Sequence, residues 1–335
     1  MADAEKPKKS RHHLNYNLMK TQRFTAWIIA AAALLTACKK NNEPAPADQV
    51  RNTRDFLEKT GPQQQSFTFD ASALPKSITL EGGIKITFPA GSLTKNGTPV
   101  SGSVTVNAVE LLKRSQLVLF GANTNHISGA PLQSDGSFFL DVKANGQSVD
   151  KQLAVPIQVE VPTKRDGGTQ LWVGADTVQG NQFAWQAPPQ GAQREVKGQD
   201  FKFIFNFGSL GWVNCDIYWQ WTNPKTTMRI TVANNPGAMA SFRAMQGETF
   251  VFFIAKGGNV VSQIYTPDGA SKVKSYDNAM PVGAEGRLLA FSIKDGKFYF
   301  VKKDITIAAN HAETLTLAET TQSALQTEIT ALDGL

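Results

Sequence analysis

The chain has 335 residues, two cysteines (Cys38 and Cys215) and a formal charge of +6. Most of that charge sits before residue 38, where Lys6, Lys8, Lys9, Arg11, Lys20 and Arg23 stand against Asp3 and Glu5; from Cys38 onward 28 basic face 26 acidic residues. Such a balance excludes the electrostatic footprint of a nucleic-acid binder, and two cysteines exclude a disulfide-built scaffold, so the fold must rest on its core.

In chain order, Lys20 and Arg23 precede an apolar run from Phe24 to Leu35. That run is shorter than the roughly 20 residues a bilayer-spanning helix needs and suits the apolar part of a signal peptide. The run ends in Leu35-Thr36-Ala37-Cys38, which resembles the lipobox of lipoprotein signal peptidase. The resemblance implies that residues 1–37 are a signal peptide and that Cys38 carries the lipid that ties the protein to a membrane. Residues 1–18 are unusually polar, and Met19-Lys20-Thr21 would make a conventional start. Lys39 follows the cysteine where an aspartate would signal inner-membrane retention, so the expected address is the outer membrane.

Residues 38–65 read as a tether. Asn41 to Pro46 have nothing to bury, although Asp48 to Thr60 could form a short helix ended by Gly61. Residues 66–186 carry short alternating segments: Ile84, Ile86 and Phe88; Val104, Val106 and Ala108; Phe138, Leu140 and Val142; Val155, Ile157, Val159 and Val161. Period 2 puts each set on one face of a strand. Asn96-Gly97, Asp135-Gly136 and Asn145-Gly146 read as turns. The expectation is an all-β protein opening with an antiparallel β-sandwich, in which Pro156 occupies an edge or a bulge.

Residues 187–200, rich in Pro, Gly, Gln and charge, read as a linker to a second β-rich domain over 201–335. That domain would open with Phe201, Phe203, Phe205 and Phe207 on one strand face. The next strand, Trp212 to Trp221, alternates Val213, Cys215, Ile217, Trp219 and Trp221 inward. Phe250 to Ile254 is apolar throughout and reads as a central strand. Residues 288–301 read as a hairpin through Asp295-Gly296. Ser323 with Gln326 suggests a helix start, followed by Leu325, Ile329 and Leu332 at helical spacing.

The run Gly83 to Leu93, then Asn96-Gly97 and Val100 to Val104, resembles the opening of the β-sandwich module of ankyrins and netrin receptors. Leu132 to Phe138 and the element Gly211-Trp212-Val213-Asn214-Cys215-Asp216 are similar to segments of outer-membrane lipoproteins of the Bacteroidota type. The sandwich module of ankyrins mediates protein interactions, so the resemblance implies binding rather than catalysis.

Catalytic signatures are missing from the sequence. His126 and His311 are the only histidines after residue 38 and lie far from paired metal-ligand spacings; no metal or other cofactor is expected. Gly208-Ser209-Leu210-Gly211 has the wrong spacing for a nucleophile elbow. Cys215, among apolar neighbours, reads as structural. The sharpest candidate is the opposite face of its strand, Trp212, Asn214, Asp216, Tyr218 and Gln220, where aromatic rings bracket amides and a carboxylate as a sugar-binding surface requires. The competing reading packs that face under a second layer. Function is thus expected to be structural or protein-interacting within the envelope, with glycan binding or an unrecognised hydrolase as alternatives.

Overall fold

The computed structural model describes residues 49–165, 167–178, 182–220 and 222–335; Cys38, the signal segment and Trp221 lie outside them. The protein is all-β. One layer of a sandwich orders strands Gln65–Asp70, Ser103–Leu111, Leu132–Ala144, Gly211–Tyr218 and Gly168–Val178. The other orders Lys202–Ser209, Gln152–Pro162, Lys85–Phe88 and Lys76–Thr79. Strand Glu195–Gln199 links them, pairing with 168–178 on one side and 202–209 on the other. The alternating triplets meet between the layers: Ile84, Ile86 and Phe88 join Val104, Val106, Phe138, Leu140, Ile157 and Val159 in one core.

Two local expectations need correction. Val155 is exposed, because the alternation breaks at Pro156. There the 85–88 strand no longer flanks its neighbour and the register with 202–209 shifts, as the missing donor of proline requires. Asp135-Gly136 is not a turn but part of the 132–144 strand. Gly136 lies opposite Cys215 and Ser134 opposite Asp216, so Asp135 is the extra residue of a β-bulge. Asn96-Gly97, Asn145-Gly146 and Asp295-Gly296 do turn, with both residues at positive φ, the geometry that suits two-residue hairpins.

The expected linker over 187–200 is also corrected. It contains a strand, and the segments that follow, 202–209 and 211–218, complete the sandwich rather than open a second domain. Phe203, Phe205 and Phe207 fill the sandwich core, whereas Phe201 sits in the turn and is 72% exposed. The physical reason is pairing: buried central strands need partners on both sides, and 211–218 finds them in 132–144 and 168–178.

Beyond residue 218 two further sheets face each other. One orders Val261–Gln263, Thr249–Ala255, Glu285–Lys294, Lys297–Thr306 and Ala318–Thr320; the other orders Thr266–Gly269, Lys272–Lys274, Arg229–Ala233 and Ala312–Thr316. Trp219, Ile230, Val232, Val251, Phe253 and Leu288 pack between them. Trp219 is therefore core, as expected, but Cys215 is not beside it: the thiol belongs to the sandwich.

The opposite face of 249–255 carries Phe250, Phe252 and Ile254. These pack with Val109 and Leu111 from the sandwich and with three helices, α1 (Thr53–Thr60), α2 (Arg114–Phe120) and α3 (Gln322–Thr330). Both faces of that strand are consequently buried, which is why its sequence lacks alternation. The described part of the expected tether is folded, not mobile: Val50, Phe56 and Leu57 are buried in this shared core. Helix α1 is capped by the Asn52 side chain accepting from the Asp55 amide at 2.8 Å. In α3, Leu325 and Ile329 are buried with Leu332 beyond them, but Thr321 caps it instead of Ser323. The described residues belong to one compact unit.

Candidate functional site

The outward face of the 211–218 strand is divided. Asn214 and Asp216 are completely buried in the seam between the sandwich and the second pair of sheets. Ser134 Oγ donates to Asn214 Oδ1 at 2.9 Å, and Asn214 Nδ2 donates to Asp216 Oδ2 at 2.5 Å. Trp172 Nε1 donates to the Asp216 carbonyl at 3.1 Å. Asp216 Oδ1 is buried and accepts nothing from the described residues. Burial, reinforced by the nearby Asp135 charge, pushes the Asp216 carboxyl well up; the hydrogen bonds from Ser134 and Asn214 only partly oppose it. Burial likewise raises the Cys215 thiol, so it is no nucleophile. The Gly-Trp-Val-Asn-Cys-Asp element is spent on packing at its centre, where no sugar could reach.

Gln220 is exposed, but it organises a turn: its side chain accepts from Asn223 and its carbonyl accepts from Lys225 Nζ at 2.8 Å. Tyr218 is half-buried and stacks edge-on against His126 and Trp172, with ring centres 5.5 and 5.3 Å away. Its outer side borders a groove of about 490 Å³ lined also by Gln170, Glu195, Lys197 and Ile217. Burial lowers the His126 imidazole below its ordinary range, with the Arg194 charge adding to the effect.

A cleft of about 870 Å³ lies where the bulge meets the seam, bordered by Asp135, Arg165, Arg114, Asn259 and Asp333. Its central charges are mutually satisfied. Arg165 donates to both oxygens of Asp135, at 3.2 and 2.5 Å, and Thr163 donates to Asp135 at 3.3 Å. Arg114 donates to the carbonyls of Gly258, Leu332 and Asp333, pinning α2 to the C-terminal segment. Among the described residues no three His, Cys, Asp or Glu side chains converge as metal ligands.

Trp212 lines a different groove, of about 330 Å³, with Phe139, Phe120, Glu58, Gln64 and Arg243. Its ring is half-buried, 5.3 Å from that of Phe139 and 5.5 Å from that of Phe120. The Arg243 guanidinium lies over the Phe120 ring, 4.0 Å from its centre. Unlike Arg114 and Arg165, it forms no hydrogen bond or ion pair with any described residue. Sequence reading identified Trp212 but missed its companions, because Glu58 and Gln64 sat in a presumed tether and a lone Arg243 carries no pattern. No protein-family model matches the chain and no curated protein is similar enough to count as a relative, so the site has to be read from its own side chains.

Proposed function

We propose that this chain is a lipid-anchored protein of the cell envelope, held in the outer membrane through Cys38, that acts by non-covalent recognition and has no catalytic activity of its own. The observation that carries the reading is the contrast between its two most distinctive openings. In the 870 Å³ cleft Asp135, Arg165 and Arg114 are engaged with partners inside the protein. No base or nucleophile stands free among them, as acid–base or covalent catalysis would require. The Trp212 groove instead offers aromatic surface and an unspent guanidinium, which is equipment for binding.

A partner protein is favoured by a separate feature. Phe201 stands 72% exposed in a two-residue turn at φ 57, beside Asp200 at φ 49. A bulky residue there is strained and would be replaced by glycine on stability grounds alone, and exposed aromatics are typical anchors of interfaces. Membrane fractionation and crosslinking in intact cells test the reading. Wild-type protein should fractionate with the outer membrane and crosslink to a defined envelope component. Cys38→Ser should leave the membrane, since a hydroxyl cannot take the lipid that the thiol takes. Turnover of glycoside, ester or peptide substrates by the purified protein would overturn the proposal.

A further inference from the structure

We propose that the groove beside Trp212 binds a carboxylate-bearing saccharide, such as a uronic acid unit, with the carboxylate on Arg243 and a sugar face on the indole. The inference deepens the recognition reading and rests on it. Arg243 and Ala244 both have left-handed backbones, at φ 54 and φ 50. Two successive non-glycine residues in that region are costly unless their surroundings impose it. Gly121 is part of what imposes it: a Cβ there would lie 2.9 Å from Arg243 Cα, so only glycine lets the two segments meet. The result holds a half-buried guanidinium against Phe120, near the Glu58 charge but hydrogen-bonded to no described residue.

A guanidinium presents a planar fork that matches a carboxylate with two parallel hydrogen bonds. Partial burial strengthens that attraction relative to an exposed site. Within the groove Arg243 is, among the described residues, the one cation that can take a carboxylate, and the Glu58 charge close by sets where an acid can sit: on the far side of the guanidinium from Glu58. The remaining lining specifies the rest of the ligand. Trp212 and Phe139, their rings inclined at 48°, form an apolar wall that suits the C–H groups of a sugar ring. In the same lining, the Gln64 side chain is hydrogen-bonded to no described residue and Glu58 keeps Oε2 beyond its Oε1 pair with Arg54; both suit hydroxyl groups. The strands of the wall, 132–144 and 211–218, are paired on both sides, so a peptide cannot add to them as a strand. A volume of about 330 Å³ falls at the small end of the range for small-ligand sites.

The test is titration of the purified full chain with tri-galacturonate, maltotriose and tri-alanine, followed by tryptophan fluorescence and calorimetry. Tri-galacturonate should bind, and maltotriose should bind at least about tenfold more weakly. Arg243→Gly should lose about tenfold or more of the tri-galacturonate affinity while melting no lower than wild type, because glycine accepts φ 54 without strain. Arg243→Lys, which keeps the charge but not the fork, should also bind more weakly. Should Arg243→Gly fail to fold, Arg243→Lys decides alone. Absence of tri-galacturonate binding at millimolar concentration, equal affinity for maltotriose, or unchanged affinity in the Arg243 variants overturns the proposal. Preferential binding of tri-alanine overturns the saccharide assignment but leaves recognition standing; loss of the in-cell crosslink as well removes both.

Discussion

At the residue scale the sharpest consequence concerns Asp216. Burial holds its folded pKa above the unfolded value of about 3.9. Between those two values the folded state holds a proton that the unfolded chain releases. Its stability contribution is therefore complete below about pH 4 and is lost as pH rises through the folded pKa. Asp216→Asn keeps the shape and the bond from Asn214 but has no charge to suppress. Its melting temperature should match wild type near pH 4 and exceed it by several degrees near pH 8. Thermal melts across that range check this, and a wild type that is the more stable at pH 8 would mean that the carboxylate is ionised in the seam. Phe201 gives the complementary case. Phe201→Gly should stabilise the fold by about 1 kcal/mol by relieving a left-handed aromatic, as measured by denaturant unfolding, and should weaken the crosslink if Phe201 is the partner's anchor.

Among the elements, α1 departs furthest from its expected role. A short helix was expected inside a tether, yet Phe56 is completely buried and meets Phe291 and Phe298 edge-on at 6.3 and 6.1 Å. Thr53 Oγ1 accepts from the Ile293 amide at 2.9 Å, tying the helix to the 285–294 strand. Phe56→Ala should cost about 3–5 kcal/mol, a large part of a domain's stability of about 5–15 kcal/mol. Chemical denaturation of the variant measures it. A loss below about 1 kcal/mol would mean that the N-terminal helix is peripheral. The helix also bears on binding, since Glu58 lines the groove only while α1 stays docked.

For the whole molecule the seam predicts cooperative behaviour. Val109 and Leu111 of the sandwich share a core with Phe250, Phe252 and α3. Asn259 Nδ2 donates to the carbonyls of Leu112 and Ser134, and Thr124 bonds to Val261 across the same junction. Separating the halves would expose this apolar surface and strand those polar groups. Calorimetry of the protein should show one unfolding transition with matching calorimetric and van't Hoff enthalpies. Two resolved transitions would mean that the halves fold independently, as a linker at 187–200 implied.

Local pattern carried a good deal of this. The period-2 triplets, the Asn-Gly and Asp-Gly hairpins, the fully apolar 250–254 strand and the Leu325–Ile329–Leu332 stripe follow from pleat, left-handed glycine and helical pitch, which depend only on near neighbours along the chain. The choice of partners depended on residues far away. Which half claimed the 202–218 strands, that Asp135 makes a bulge rather than a turn, and that α1 enters the core were decided by long-range pairing and burial. The groove belongs to this second kind: Glu58, Phe139, Trp212 and Arg243 are spread over 186 positions, and only the packing of four separate segments places them around one opening. Trp212 was legible as an outward aromatic, but its partition from Asn214 and Asp216 was not, because alternation along a strand tells which side a residue faces and not what covers that side.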